Sequence, residues 1–251
     1  MVHKIIAFAR ELKDKHGACG LKLGTEAEAN SFEEIRLFTD MLNDILPIIV
    51  KIGGCDARND IKTLFRIGIK GLIAPMIESE YGLKNFRTAL RQEIGDNFRD
   101  LFGFLAINIE SRTGYQNRFE ILDSPDCSFL DQVTIGRTDL SSSYSTSVDD
   151  PELESKVIEL TRMAQKRGLL VSIGGQITPS SSVQVRDHIM PDKVNIRTVV
   201  IDMKHCPDIS EAIRKSLEFE KMLLKCLIDR PESDPSKLKN RIEVIEKRLQ
   251  N

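Results

Sequence analysis

Two carboxylates are set apart by what precedes them. Glu110 follows a short apolar run at 104–108, and Asp139 follows another at 133–136. Carboxylate oxygens suit a hard divalent cation, Mg²⁺ or Mn²⁺. Asn108 lies two residues before Glu110, so on a strand both side chains would project to the same side. Each acid also has a plainer use. Glu110 could cap a following helix, and Asp139, three residues after Gly136, could equally be a turn or N-cap aspartate.

Lys51 closes an apolar run at 47–51, just ahead of Gly53 and Gly54. An unpaired ammonium is costly to bury, so a lysine there is aimed at an anionic ligand. The ends of the other runs carry Glu26 and Glu28, then Glu78, then Gln176, and finally Asp202 with Lys204 and His205. Gly174 and Gly175 follow a run directly. Glycines there let backbone N–H groups approach a carboxylate or phosphate, although tight turns need glycine too. No Ser-His-Asp pattern points to nucleophilic hydrolysis. The five cysteines are scattered without a CxxC pair, so neither a zinc finger nor a disulfide framework is expected.

The elements that must position these residues are legible as a rhythm. Seven short apolar runs, at 19–23, 47–51, 71–75, 104–108, 133–136, 169–173 and 197–201, alternate with amphipathic stretches. Runs this short and this weakly alternating fit strands covered by helices. Ser31 and Glu34 form a capping-box pattern, Pro151 suits a first helical turn, and Asp56 and Asn59 precede a helix ending near Gly68 or Gly71. Alternation of this kind implies α/β architecture with parallel strands and right-handed crossovers. An open doubly wound sheet would place a glycine-rich phosphate loop after its first strand, but here that strand leads into the acidic segment 24–30. The expectation is therefore a (β/α)8-type TIM barrel over 1–207, in which an eighth strand is not evident. Residues 208–251 form a helical extension, to lie on the barrel wall or to make an oligomer contact.

A net charge of -2, from 36 basic and 38 acidic residues, gives no concentrated basic surface for nucleic acid or an anionic membrane. The first residues lack the apolar stretch of a secretion signal, and no run is long enough to span a bilayer. A reducing cytoplasm and a homo-oligomer are expected.

The segment 107–111, Ile-Asn-Ile-Glu-Ser, followed by Ile-Gly-Arg-Thr-Asp-Leu-Ser at 135–141, resembles the paired metal motifs of the HpcH/HpaI aldolase and citrate lyase family. The upstream Leu-Ile-Ala-Pro-Met-Ile-Glu at 72–78 resembles another strand of that family, and the resemblance runs from about residue 21 to 201. It implies a phosphoenolpyruvate/pyruvate-type barrel in which Glu110 and Asp139 hold Mg²⁺ or Mn²⁺. The metal would act as a Lewis acid on a 2-oxo acid, whose partner is an aldehyde or acyl substrate, with enolate formation as a C–C bond is made or broken. Lys51 and Glu26 are the implied catalytic residues. Lys51, Asn108, Arg137, Gly174 and Gly175 are the implied substrate-binding ones.

The departures from the family pattern are specific. The segment before Leu21 is too short for the family's usual first strand, so the resemblance implies a barrel incomplete or modified at the first strand. Lys51 stands where the family has an arginine, and lacks its bidentate fork. Glu26 matches the acid of an acid–histidine pair, but Ala27 stands at the histidine, leaving Glu28, Glu78 or His205 as substitutes. Arg137 replaces a smaller residue and could read a phosphate or second carboxylate, or form a surface salt bridge. Two other readings stay open: a Schiff base on Lys51 or Lys22, and a degenerate barrel serving as a ligand-binding or assembly subunit.

Overall fold

The computed structural model describes residues 1–26, 28–228, 230 and 234–250; Ala27, and residues 229 and 231–233 between the two tail helices, lie outside the described residues. Eight strands close into a barrel in chain order. They are β1 (Ala18–Gly24), β2 (Ile48–Lys51), β3 (Gly71–Ala74), β4 (Phe104–Asn108), β5 (Gln132–Gly136), β6 (Leu170–Gly174), β7 (Lys193–Ile196) and β8 (Val199–Asp202).

Helix α1 (Val2–His16) leads into β1 through Gly17. The crossovers to β2 and β3 carry α2 (Phe32–Leu42) and α3 (Arg58–Ile67), and that to β4 carries α4 (Glu80–Ile94) and the short α5 (Phe98–Leu101). Between β4 and β5 lie α6 (Arg112–Gln116) and α7 (Arg118–Asp123). Helices α8 (Arg137–Ser143) and α9 (Pro151–Lys166) precede β6, and α10 (Ser182–Gln184) precedes β7. Two long helices end the chain, α11 (Ile209–Leu227) and α12 (Pro235–Leu249).

The helix starts follow the sequence signals. Ser31 Oγ accepts the Glu34 amide at 3.1 Å, and the Glu34 carboxylate accepts the Ser31 amide at 3.3 Å. Helix α9 begins at Pro151 with Asp150 as its cap, and α3 stops at Gly68.

The strand count and direction correct the expectation. The run read as the seventh strand is in fact β8, and the unrecognised strand is β7, immediately before it. The two form a hairpin, with Ile196 opposite Val199, and β8 also runs antiparallel to β1. Strands β1 to β7 are parallel, as expected. The turn was not evident because it is made by Arg197 and Thr198, not by the glycine or asparagine that usually marks a two-residue hairpin. Arg197 holds the left-handed conformation itself, at φ 50°.

The reversal has a geometric consequence. The chain leaves β8 at the lower end of the barrel, opposite the ends of β1 to β7. Helix α11 starts there, packs against α1, and climbs to the upper rim, where its Glu220 meets Arg197 of the hairpin. The first and last thirds of the chain thus close the ring of helices together.

The core lies between strands and helices. Leu21, Leu23, Val50, Leu72, Ile107, Val133, Ile135, Val171 and Ile173 are fully or nearly fully buried against helical residues such as Ile35, Phe86, Leu160 and Leu217. Alternate positions face the barrel interior instead, as the period of a strand requires. No helix among the described residues is long and apolar enough to cross a membrane.

Ser31→Ala should remove one amide acceptor at the start of α2 and cost about 1 kcal/mol of stability, read as a lower urea midpoint with an unchanged slope.

Candidate active site at the barrel mouth

At the upper end of the strands a cavity of about 630 Å³ opens, lined from β1 by Lys22, from β2 by Lys51, from β4 by Asn108, from β5 by Thr134 and from β7 by Asn195. These are the inward positions of the strands. The loops after β1, β4 and β6 add Glu28, Glu110 and Gly175, the end of β6 adds Gly174, and α8 adds Asp139.

Glu110 is buried, at 4% exposure. Its Oε2 accepts from Asn108 Nδ2 at 3.0 Å, and its Oε1 accepts from the Met76 amide at 3.3 Å. Met76 takes a left-handed backbone, φ 52°, at this point. Gly136 leaves the space its carboxylate occupies. Burial pushes the Glu110 carboxyl above its ordinary range; Lys51 and the Asn108 hydrogen bond oppose this, and the negative charge of Asp139 adds to it. Asp139 is exposed in the first turn of α8 and lines the same cavity.

A desolvated carboxylate beside a second acid is an arrangement that a bound cation relieves. Asn108 Oδ1 is buried without a hydrogen-bond partner, a third oxygen at the same place. Among the described residues, no three or more His, Cys, Asp or Glu side chains gather into a metal cage. Mg²⁺ does not require one, since it is commonly held by one or two carboxylates with waters and substrate oxygens. The donor set here, all oxygen, fits that mode.

Lys51 and Lys22 share one carboxylate. Lys22 Nζ donates to Glu28 Oε1 at 2.8 Å, and Lys51 Nζ lies 3.3 Å from Glu28 Oε2, close but without hydrogen-bond alignment. The loop after β1 doubles back to make this contact, with the Ala29 amide bonded to the Glu26 carbonyl and the Asn30 amide to that of Gly24. Gly24 is required here, because a Cβ would overlap the Glu28 carboxylate. Burial raises the Glu28 pKa, but the two ammonium groups outweigh it and hold the carboxyl at about 2.

Other sequence candidates lie elsewhere. Glu26 is exposed and sits against Gly53, outside the cavity; the carboxylate that faces Lys51 is Glu28's. The Gly53 amide is already committed to Asp60, at 2.8 Å. Arg137 is buried and turns away from the mouth: it donates to the Gly175 carbonyl at 2.9 Å and lines a separate small cavity with Asp149 and Glu154. As the first residue of α8, it points to the flank rather than along the barrel axis. Glu78 takes the Ser111 hydroxyl, a local pairing.

Asp202 and His205 lie at the lower end, because β8 runs downward; they bond each other at 3.0 Å and line a cavity there with Lys13 and Cys19. Gly174 and Gly175 do line the mouth. Gly175 holds φ 97°, and a Cβ on it would stand 2.6 Å from the Thr138 amide, so β6 can meet α8 only with glycine there.

Sequence reasoning missed Thr134 and Asn195, and with them Arg197, Arg241 and Arg248, which also line the cavity. The inward parity of β5 would have revealed Thr134. The arginines gave no signal, since they arrive through the hairpin and through α12.

No protein-family model matches the chain, and no curated protein is similar in sequence. Solved structures do match. An HpcH/HpaI aldolase/citrate lyase family protein from Burkholderia cenocepacia J2315 superposes with a TM-score of 0.61 at 15% identity, covering 74% of this chain and 80% of that one. An HpcH/HpaI aldolase from Desulfitobacterium hafniense DCB-2 gives 0.61 at 17% identity, over 75% and 80%. The citrate synthase SbnG gives 0.59 at 17% identity, over 74% and 79%. At such identities the likeness shows a shared barrel fold.

Because ionised Glu28 stabilises the folded state, its contribution should be complete above pH 4.5 and lost as the pH falls from there towards about 2. Glu28→Gln should therefore cost about 2–3 kcal/mol at pH 7, with the difference from the parent shrinking as urea unfolding is repeated at pH 4 and 3.

Proposed function

We propose that the mouth holds Mg²⁺ or Mn²⁺ between Glu110 and Asp139 and makes or breaks a C–C bond in a 2-oxo acid, with an aldehyde or acyl group as the second reactant. The reading is carried by the buried Glu110, held by Asn108 and Met76 and facing Asp139 in a cavity that also contains Lys51. The likeness to aldolase and citrate lyase barrels supports it. A divalent cation there supplies Lewis acidity to the carbonyl and carboxylate oxygens of the substrate.

The chain's own residues do the rest. Lys51 offers positive charge to the oxygen on which negative charge develops, a point charge where an arginine would offer a fork. Glu28 orients Lys51 and Lys22 and keeps two ammonium groups together in one small space. Asn108 fixes the Glu110 carboxylate through its amide. Thr134 and Asn195 offer neutral hydrogen bonds deeper in the barrel.

The shared ion pair also argues against Lys51 or Lys22 as a Schiff-base nucleophile. That chemistry needs an amine free to reach the carbonyl carbon, whereas both Nζ groups are engaged by the Glu28 carboxylate, at 2.8 and 3.3 Å.

With Mg²⁺ or Mn²⁺ present, pyruvate in D₂O should exchange its methyl protons, followed by NMR, and EDTA should abolish the exchange. Glu110→Gln and Asp139→Asn should lose it, and Lys51→Met should slow it by roughly 10²–10³. Absence of exchange with every divalent metal tried would sink the catalytic reading and leave a ligand-binding barrel. Borohydride inactivation in the presence of pyruvate and EDTA would instead favour the Schiff base.

A further inference from the structure

The upper rim of the cavity is built by the tail of the chain. Arg241, Val244 and Arg248 project from α12 into the cavity at helical spacing, and Arg197 joins them from the β7–β8 hairpin. One carboxylate serves this group. Glu220 of α11 is fully buried, and its Oε1 lies 3.1 Å from Arg241 Nη2 and 3.3 Å from Arg197 Nε. Arg248 forms no ion pair among the described residues; its guanidinium donates to the Ile177 carbonyl, and Arg241 also donates to that of Glu28, at 3.1 Å.

Among the described residues, three guanidinium groups meet one carboxylate at the rim, an excess of two positive charges. The Nε groups of Arg241 and Arg248 are buried without a hydrogen-bond partner. Burial, and then the neighbouring charge of Arg197, push the Arg248 pKa down against the opposing charge of Glu220. The cavity as a whole carries five cationic side chains, Lys22, Lys51, Arg197, Arg241 and Arg248, against Glu28, Glu110 and Asp139. Unneutralised guanidinium groups with spare donors, in a partly enclosed site, are organised for an oxyanion.

We propose that Arg197 and Arg248, with Arg241 fixed beside them by Glu220, form an anion subsite at the rim that takes the distal carboxylate or phosphate group of the ligand. The substrate is then an acid carrying at least two anionic ends, one at the Glu110–Asp139 end and one under α12. The extent of the substrate rests on the 2-oxo acid reading, but the anion subsite itself does not.

The test uses the full chain in EDTA, titrated calorimetrically with inorganic phosphate and, separately, with tricarballylate as a carboxylate probe. At least one should bind, its Kd should rise with salt, and Arg197→Gln and Arg248→Gln should each weaken it at least tenfold, with Arg248→Lys losing less. Preference for phosphate or tricarballylate identifies the distal group. Mn²⁺-dependent oxalate binding, measured in parallel, should be unchanged by both substitutions. If oxalate fails to bind the parent protein while phosphate or tricarballylate binds through the arginines, the metal reading falls and the subsite stands. If neither anion binds, or binding survives both glutamine substitutions, the subsite is overturned. Urea unfolding verifies that each variant is folded; should one not be, the salt dependence of the parent and the Arg248→Lys titration decide.

Discussion

The direction of β8 is the constraint on which the rest of the molecule depends. A barrel of parallel strands must bring the chain back through a helix after every strand. Here the last return is a two-residue hairpin, so β8 closes the sheet between β7 and β1 while running downward. Closure leaves no free strand edge. It also puts the next helix the other way up: α11 ascends, and the chain arrives at the mouth once more before it ends. In an all-parallel barrel that helix would descend and the tail would emerge at the closed end. One reversed strand thereby decides which residues share the cavity: Arg197, Arg241 and Arg248 belong to it, and Asp202 and His205 do not.

Inside the mouth, opposing electrostatic effects are balanced pair by pair. Burial penalises the ionised forms of Glu28 and Glu110, and neighbouring cations oppose it. Glu28 answers two lysines and Glu220 answers two arginines, so each carboxylate is over-supplied with cations. Glu110 is less well supplied: an amide and a backbone N–H hold it, Lys51 is the cation whose charge offsets its burial, and Asp139 is another acid nearby. The cavity is therefore divided into a region short of positive charge around Glu110 and regions with a surplus around Lys51 and at the rim. Three of the left-handed non-glycine residues, Met76, Gln176 and Arg197, lie beside the mouth.

Much of this was legible from the residue order. Six of the apolar runs are the strands β1 to β6, and the polar residues just beyond Ile107 and Ile135 come together, because parallel strands deliver their ends to one face. What escaped was information that does not reside in local pattern. The stretch 193–196, Lys-Val-Asn-Ile, is too short and too polar to stand out beside Val199, Val200 and Ile201, and the turn between them has ordinary residues in an extraordinary conformation. Glu26 and Glu28 are separated by two positions, and only the fold of the loop over Gly24 decides which enters the cavity. The direction of Arg137 depends on its place at the first residue of α8, and the reach of α12 depends on the reversed strand. These are tertiary facts.

Helix α12 takes no part in closing the sheet, yet one face of it looks into the cavity. That separates two tasks that a barrel usually entrusts to the same loops. The strand ends fix the reacting centre and are tied to closure by register, parity and packing. In the proposed subsite the far end of a ligand would meet positions 241, 244 and 248, on a helix that packs against α11 and the rim. A subsite there would put selectivity on a separable element: the inward face of α12 could vary residue by residue, redrawing which molecules fit, while the strand ends beneath it stay as they are.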